Sequence, residues 1–165
     1  MISGTSGIRD LINKLENREE QKRILIIDDD PSYISLLRGW LKDDYKVFMS
    51  TSGETALEWL SGNNADLILL DYEMPDINGP QMLKKIKELK TADAAGKNSS
   101  SGGSVSEDTA VSSSKTPVVY ITGNDADEME ENIRADKSGL KPDGCIYKTT
   151  GRDEMLKLVS SYLKS

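Results

Sequence analysis

Asp28 with Asp29, Asp71, Thr122 and Lys148 stand directly after the apolar runs ILII, LILL, VVYI and CIY. Taken singly, these residues say little. An acid that ends a strand is commonly the N-cap of the next helix, a threonine there is a turn residue, and a lysine is a solvated charge. Taken together they form a set with its own chemistry. Three carboxylates brought close repel one another and require a cation, and oxygen ligands without His or Cys favour Mg2+ or a similar hard ion. A hydroxyl and an ammonium opposite can hold phosphoryl oxygens, which is what phosphoryl transfer needs, since its catalysis is mostly positioning and charge stabilisation. A carboxylate can also be the nucleophile and form an acyl phosphate. Asp71, within LILLDYEMPDINGP, is the best-placed candidate.

The elements that must position these residues are legible as alternating patterns. Strands are expected at Ile24–Ile27, Lys46–Met49, Leu67–Leu70, Val118–Ile121 and, more weakly, Cys145–Tyr147. Three of these runs are continuously apolar, as strands buried on both faces are. Between them lie helical stripes: Tyr33, Ile34, Leu37, Trp40 and Leu41 after Pro31; Ala56, Leu57 and Leu60; Met82, Leu83, Ile86 and Leu89 after Pro80; Met129 and Ile133; and Met155, Leu156, Val159, Tyr162 and Leu163. Five strand–helix alternations predict an α/β fold with a parallel sheet covered on both faces. In such sheets ligands bind outside the carboxyl ends of the strands, where the polar set falls.

Two segments lie outside the alternation. Residues 1–22 form an N-terminal extension carrying Ile8, Leu11, Ile12 and Leu15 at helical spacing, with Thr5 and Ser6 as candidate caps. This pattern reads as a docked or frayed short helix in preference to a dimerisation device. Residues 91–116, which include GKNSSSGGSVSEDTAVSSS, read as a flexible insertion at the sheet edge opposite the strand C-termini.

Composition narrows the classes of function. The 165 residues suit one domain, and the formal net charge of −7 disfavours non-specific binding to nucleic acid or an anionic membrane. No apolar run approaches the ~18 residues that span a bilayer, and the N-terminus lacks the features of a secretory signal. One cysteine, Cys145, fits a reducing, cytoplasmic compartment. Histidine is absent, which removes Ser-His-Asp triads, His zinc sites and phosphohistidine from this chain.

The stretches RILIIDDDPSYISLL, SGETALEWL, ADLILLDYEMPDINGPQML, TPVVYITG and GCIYK resemble, in order, the receiver domain of two-component response regulators over residues 23–165 apart from the insertion. The resemblance implies a flavodoxin-like, doubly wound, five-stranded sheet of order 2-1-3-4-5 with five flanking helices. It implies that Asp71 is the phosphoacceptor and that Asp28, Asp29, Asp71 and the backbone carbonyl of Glu73 hold Mg2+. Thr122 and Lys148 resemble the hydroxyl and the lysine that contact the phosphoryl group. Asp30 is expected to cap the following helix, Gly123 and Asn124 to line the rim, and Pro75 and Gly79 to shape the loop. Three departures touch the family's usual output face. Cys145 stands where an aromatic is usual, with Tyr147 of the same strand parity; Thr149 replaces the usual proline after the lysine; and GLKPDG is slightly long.

The resulting expectation is a stand-alone signalling module and not a turnover enzyme. A histidine kinase or histidine phosphotransfer protein would donate to Asp71, and a downstream protein would read the result or receive the phosphate. The alternative is a receiver-like interaction scaffold that works without phosphorylation. A phosphatase of the haloacid dehalogenase type fits poorly, because its nucleophile ends the first strand of the core and Asp71 ends the third.

Overall fold

The computed structural model describes residues 4–96 and 116–164. The elements run α1 (Gly4–Glu19), β1 (Arg23–Ile27), α2 (Pro31–Leu41), β2 (Lys46–Ser50), α3 (Gly53–Gly62), β3 (Leu67–Asp71), α4 (Gly79–Gly96), β4 (Val118–Thr122), α5 (Ala126–Ala135), β5 (Gly144–Tyr147) and α6 (Arg152–Leu163). The five strands form one parallel sheet in the order β2-β1-β3-β4-β5. The expected fold class and strand order are both observed.

Strand periodicity explains the two cores. Alternate residues of a strand face opposite sides, so Leu25, Ile27, Ile68, Leu70, Val118 and Tyr120 pack with Ala56, Met82, Ile86 and Met129 from α3, α4 and α5. Ile24, Ile26, Leu67, Leu69, Val119 and Ile121 pack with Ile34, Leu37, Leu41, Met155 and Val159 from α2 and α6. β3 and β4 are buried throughout and β1 beyond its first residue, while the edge strands β2 and β5 are largely half-buried. This burial is why the central runs read as continuous apolar tetrads.

Helix starts follow ordinary capping chemistry. Asp30 caps α2, accepting from the Ser32 and Tyr33 amides, with Pro31 in the first turn. Ser52 caps α3 and Asp125 caps α5. On the edge away from the strand C-termini, carboxylates secure strand entry. Asp66 accepts from the Arg23 amide at 2.7 Å, and Asp143 accepts from the Val118 amide at 2.8 Å. Thr116 donates its hydroxyl to the Ala65 carbonyl at 2.7 Å on the same edge.

Two expectations about the flanking segments are corrected. The 91–116 insertion starts later than expected, because α4 continues to Gly96; Ala92, Ala94 and Ala95 favour helix although they give no apolar stripe. The remaining residues, 97–115, lie outside the described residues. The N-terminal extension is a helix, but its apolar stripe is not docked: Ile8, Leu11, Ile12 and Leu15 are 62%, 57%, 46% and 54% exposed. Asp10, Asn13, Lys14, Asn17 and Arg18 line a cleft with Lys42 and Asp43. The helix begins at Gly4, so Thr5 and Ser6 lie inside its first turn and not ahead of it. Among the described residues no helix is long and apolar enough to cross a membrane.

Candidate phosphoryl-transfer site

The strand C-termini bring the polar set together. Asp28 follows β1, and its amide donates to the Ser50 carbonyl at the end of β2. Its side chain is fully buried and accepts from the Asp30 amide at 2.9 Å. Asp71 closes β3 and is buried as well. Asp29 is exposed at the mouth. Carboxylate oxygens of Asp28, Asp29 and Asp71 all lie within 4.8 Å of one another.

Lys148, just past β5, reaches across this cluster. Its Nζ lies 2.9 Å from Asp28 Oδ2 and 3.4 Å from Asp71 Oδ1. The Lys148 amide also donates to the Thr122 carbonyl at 2.8 Å, which fixes the lysine backbone to the end of β4. Among the described residues no peptide bond is cis, so the chain passes from Lys148 to Thr149 in the trans form. The Thr150 amide then donates to the Tyr147 carbonyl and closes a turn.

Charge at the site is unbalanced, with three carboxylates facing one ammonium. Burial, followed by the neighbouring Asp28 charge, pushes the Asp71 carboxyl from 3.8 up to about 7, against the opposing pull of Lys148. Burial lowers the affinity of Lys148 for its proton, but Asp28 and Asp71 together outweigh it and hold the ammonium above the ordinary lysine range. An all-oxygen donor set with excess negative charge suits a hard divalent cation, so the residues present fit such an ion.

The remaining predicted residues occupy the rim. Thr122 ends β4 beside Asp71, one residue past Ile121, the register partner of Asp71. Its buried hydroxyl oxygen accepts from the Asn124 amide at 3.0 Å. Glu73 donates its amide to Asp71 Oδ1 at 3.4 Å, while its exposed side chain accepts from Asn124 Nδ2 at the same distance. A Cβ on Gly123 would meet open space, so the approach past it is clear.

Gly79 shapes the loop for a specific steric reason. Its amide donates to the Tyr72 carbonyl at 2.8 Å and closes the 72–79 loop. A Cβ there would lie 3.1 Å from the Tyr72 backbone and 3.0–3.2 Å from the Tyr72 and Tyr120 rings. Those two rings already meet edge to face at 5.4 Å. Gly79→Ala is therefore expected to cost about 1–3 kcal/mol, read as a lower urea midpoint with an unchanged slope.

One contributor escaped the sequence reading. Tyr33 reads there as part of the apolar stripe of α2, yet its ring lies 5.0 Å beneath the Lys148 ammonium. Its hydroxyl is buried without a hydrogen-bond partner among the described residues, and burial pushes it up to about 12, so it stays neutral. A tyrosine in the first turn after an acidic pair was the available signal. Cys145 and Tyr147 are both half-buried against the core face that also holds Tyr72 and Ile133.

Residues 24–94 match the family model described as the response regulator receiver domain. The match spans Asp28, Asp29, Asp71 and Glu73 and stops short of Thr122 and Lys148. Beyond it the chain continues into the rest of the β2-β1-β3-β4-β5 sheet. Over residues 24–94, less than half of the chain, the sequence is similar to response-regulator receiver domains, and the described sheet has the same strand order. Among curated relatives, the response regulator SaeR of Staphylococcus aureus is 35% identical over 68 residues, 41% of this chain and 29% of the relative. A probable cyclic di-GMP phosphodiesterase of Vibrio cholerae is 39% identical over 67 residues, 41% of this chain and 15% of the relative. The receiver thus matches less than a third of either relative's length. Among solved structures, the N-terminal domain of a response regulator/sensory box/GGDEF three-domain protein from Carboxydothermus hydrogenoformans is similar at 25% identity and a TM-score of 0.63, covering 87% of this chain and 94% of that one. The chemotaxis protein CheY4 of Vibrio cholerae shares the fold, with a TM-score of 0.64 at 20% identity over 87% of this chain and 99% of that one.

Proposed function

We propose that this receiver accepts a phosphoryl group on Asp71 from a phosphohistidine of a histidine kinase or histidine phosphotransfer protein, with Mg2+ held by Asp28, Asp29, Asp71 and the Glu73 carbonyl. The observation that carries this reading is the buried Asp71 carboxylate, at a strand end, between Lys148 and two further acids. An oxygen of Asp71 attacks phosphorus, the new O–P bond forms, and the P–N bond to the donor imidazole breaks. The imidazole then takes its proton from solvent. In this reading Lys148 and the Thr122 hydroxyl contact phosphoryl oxygens, and their charge and proton offset the charge of the transferred group. When bound, the divalent cation supplies the remaining counter-charge that lets an anionic donor approach three carboxylates.

The reading makes the protein a cytoplasmic signalling domain without separate substrate turnover, acting through a partner or by passing phosphate onward. Multiple-turnover release of phosphate from small phosphomonoesters would contradict that. Incubation with acetyl phosphate or phosphoramidate and Mg2+ is expected to add one phosphoryl mass, mapped to Asp71 after borohydride reduction. Absence of labelling with either donor in the folded protein would remove the proposal. A second reading, an interaction scaffold independent of phosphate, is favoured by Cys145 at the usual output strand; it requires a partner that binds wild type and Asp71→Asn equally.

A further inference from the structure

Every described residue of α1 from Gly7 to Arg18 is exposed, the apolar ones included. Four of its residues, Ile8, Leu11, Ile12 and Leu15, are exposed on one stripe at i, i+3, i+4 and i+7 spacing, while the polar side lies toward Lys42 and Asp43. An isolated helix of this length is marginal in water and gains most of its stability from packing an amphipathic face. The first turn of α1 has no acidic residue to favour the helix dipole. The stripe therefore needs a cover.

The charges beside the stripe say which cover fits. Arg9, Asp10, Lys14, Glu16 and Arg18 mix both signs, and the chain carries −7 overall, unlike the Lys/Arg-rich polar face of helices that lie on anionic lipid. Glu16 occupies one flank of the stripe, and Lys14 and Arg18 occupy the other, at the rim of the cleft toward Lys42 and Asp43. In a parallel two-fold pair, opposite flanks of two identical helices meet. Glu16 of each helix then stands between the partner's Lys14 and Arg18, twice over by symmetry. In an antiparallel pair each flank meets itself, and Lys14 and Arg18 find no acidic side chain on the flank that faces them.

We propose that a second copy of this chain covers the apolar stripe, with the two α1 helices paired in parallel about a two-fold axis and both receivers at the same end of the pair. Like residues stack across the seam at Ile8, Leu11, Ile12 and Leu15, as apolar positions do in short coiled coils. The contact involves no residue of the acid pocket, so it forms with or without phosphoryl transfer.

Light scattering on the full chain tests this. At roughly 10–100 µM the wild type is expected at twice the 18.2 kDa of one chain, and Leu11→Glu with Leu15→Glu at a single chain mass. Melting of the receiver core in that variant should be unchanged, because the stripe touches no core residue. Glu16→Lys alone, and Lys14→Glu with Arg18→Glu alone, should each weaken the dimer roughly tenfold, and mixing the two variants should restore it. A monomeric wild type, or a stripe variant that stays dimeric, overturns the proposal. Failure of the mixed variants to pair overturns the parallel arrangement, and flotation of the wild type on anionic vesicles without dimerisation transfers the stripe to lipid.

Discussion

Asp71→Asn is expected to abolish labelling by small phosphodonors and, in chelator, to make the protein more stable than the wild type. The first effect follows if the Asp71 oxygen is the nucleophile, since an amide has no comparable nucleophilic oxygen. The second follows from the unbalanced cluster. A carboxyl raised from 3.8 to about 7 in the folded state corresponds to about 4 kcal/mol of strain on the ionised form at 1.36 kcal/mol per pKa unit. The mouth of the pocket opens to solvent at the exposed Asp29, so we expect about half of that, a rise of roughly 4–8 °C in Tm at pH 8.

The sign of the pH dependence separates this from a packing effect. Between pH 3.8 and about 7 the folded Asp71 holds a proton that the unfolded chain has released. The unfolded state thus binds fewer protons, and the contribution of this group to stability falls as pH rises through that window. Urea titrations in chelator should show this downward slope in the wild type and lose it in Asp71→Asn. Added Mg2+ should stabilise the wild type more than the variant and narrow the gap. A variant that melts below the wild type at pH 8 would contradict the strain argument, while labelling of the variant would contradict the nucleophile.

Lys148→Met carries the second large effect, of opposite sign. Among the described residues, Lys148 is the only cation paired with Asp28 or Asp71. Removing it leaves a buried carboxylate without counter-charge, which costs about 3 kcal/mol in a partly solvated site. The loss should shrink below pH 6, where one of the acids can take up a proton instead. It should shrink again on adding Mg2+, which can replace part of the missing charge. Combined with Asp71→Asn, the substitution should cost much less than alone, because one of the two stranded carboxylates is gone. Equal costs in the two backgrounds, measured as a double-mutant cycle, would show that the three groups do not act as a unit.

The strands and the acid pocket were legible because both depend on short-range order in the sequence. Continuous runs such as LILL arise only where a strand is covered on both sides, and the residue after each run necessarily falls on one edge of a parallel sheet. Asp30 was legible as a cap for the same local reason. What the sequence left open depends on distant neighbours. The stripe of α1 shows that one side is apolar but not what lies against it. The segment Thr91–Gly96 has helix-favouring alanines and no apolar periodicity, so it merged with the serine-rich stretch beyond. Tyr33 sits at a position where packing and ion-pair support have the same spacing, and only the approach of Lys148 from the other end of the chain distinguishes them. The Tyr72–Tyr120 contact likewise joins the loop after β3 to β4 with no local signal.

The carboxylates of Asp66 and Asp143, with the Thr116 hydroxyl, secure the start of β1, the start of β4 and the connection before β3 at the edge of the sheet farthest from Asp71. The described chain resumes at Thr116 on that side. The protein therefore offers a natural splice point. A small folded reporter placed there can lengthen the connection at only a slowly rising entropic cost, leaving the reacting edge open to whatever approaches it.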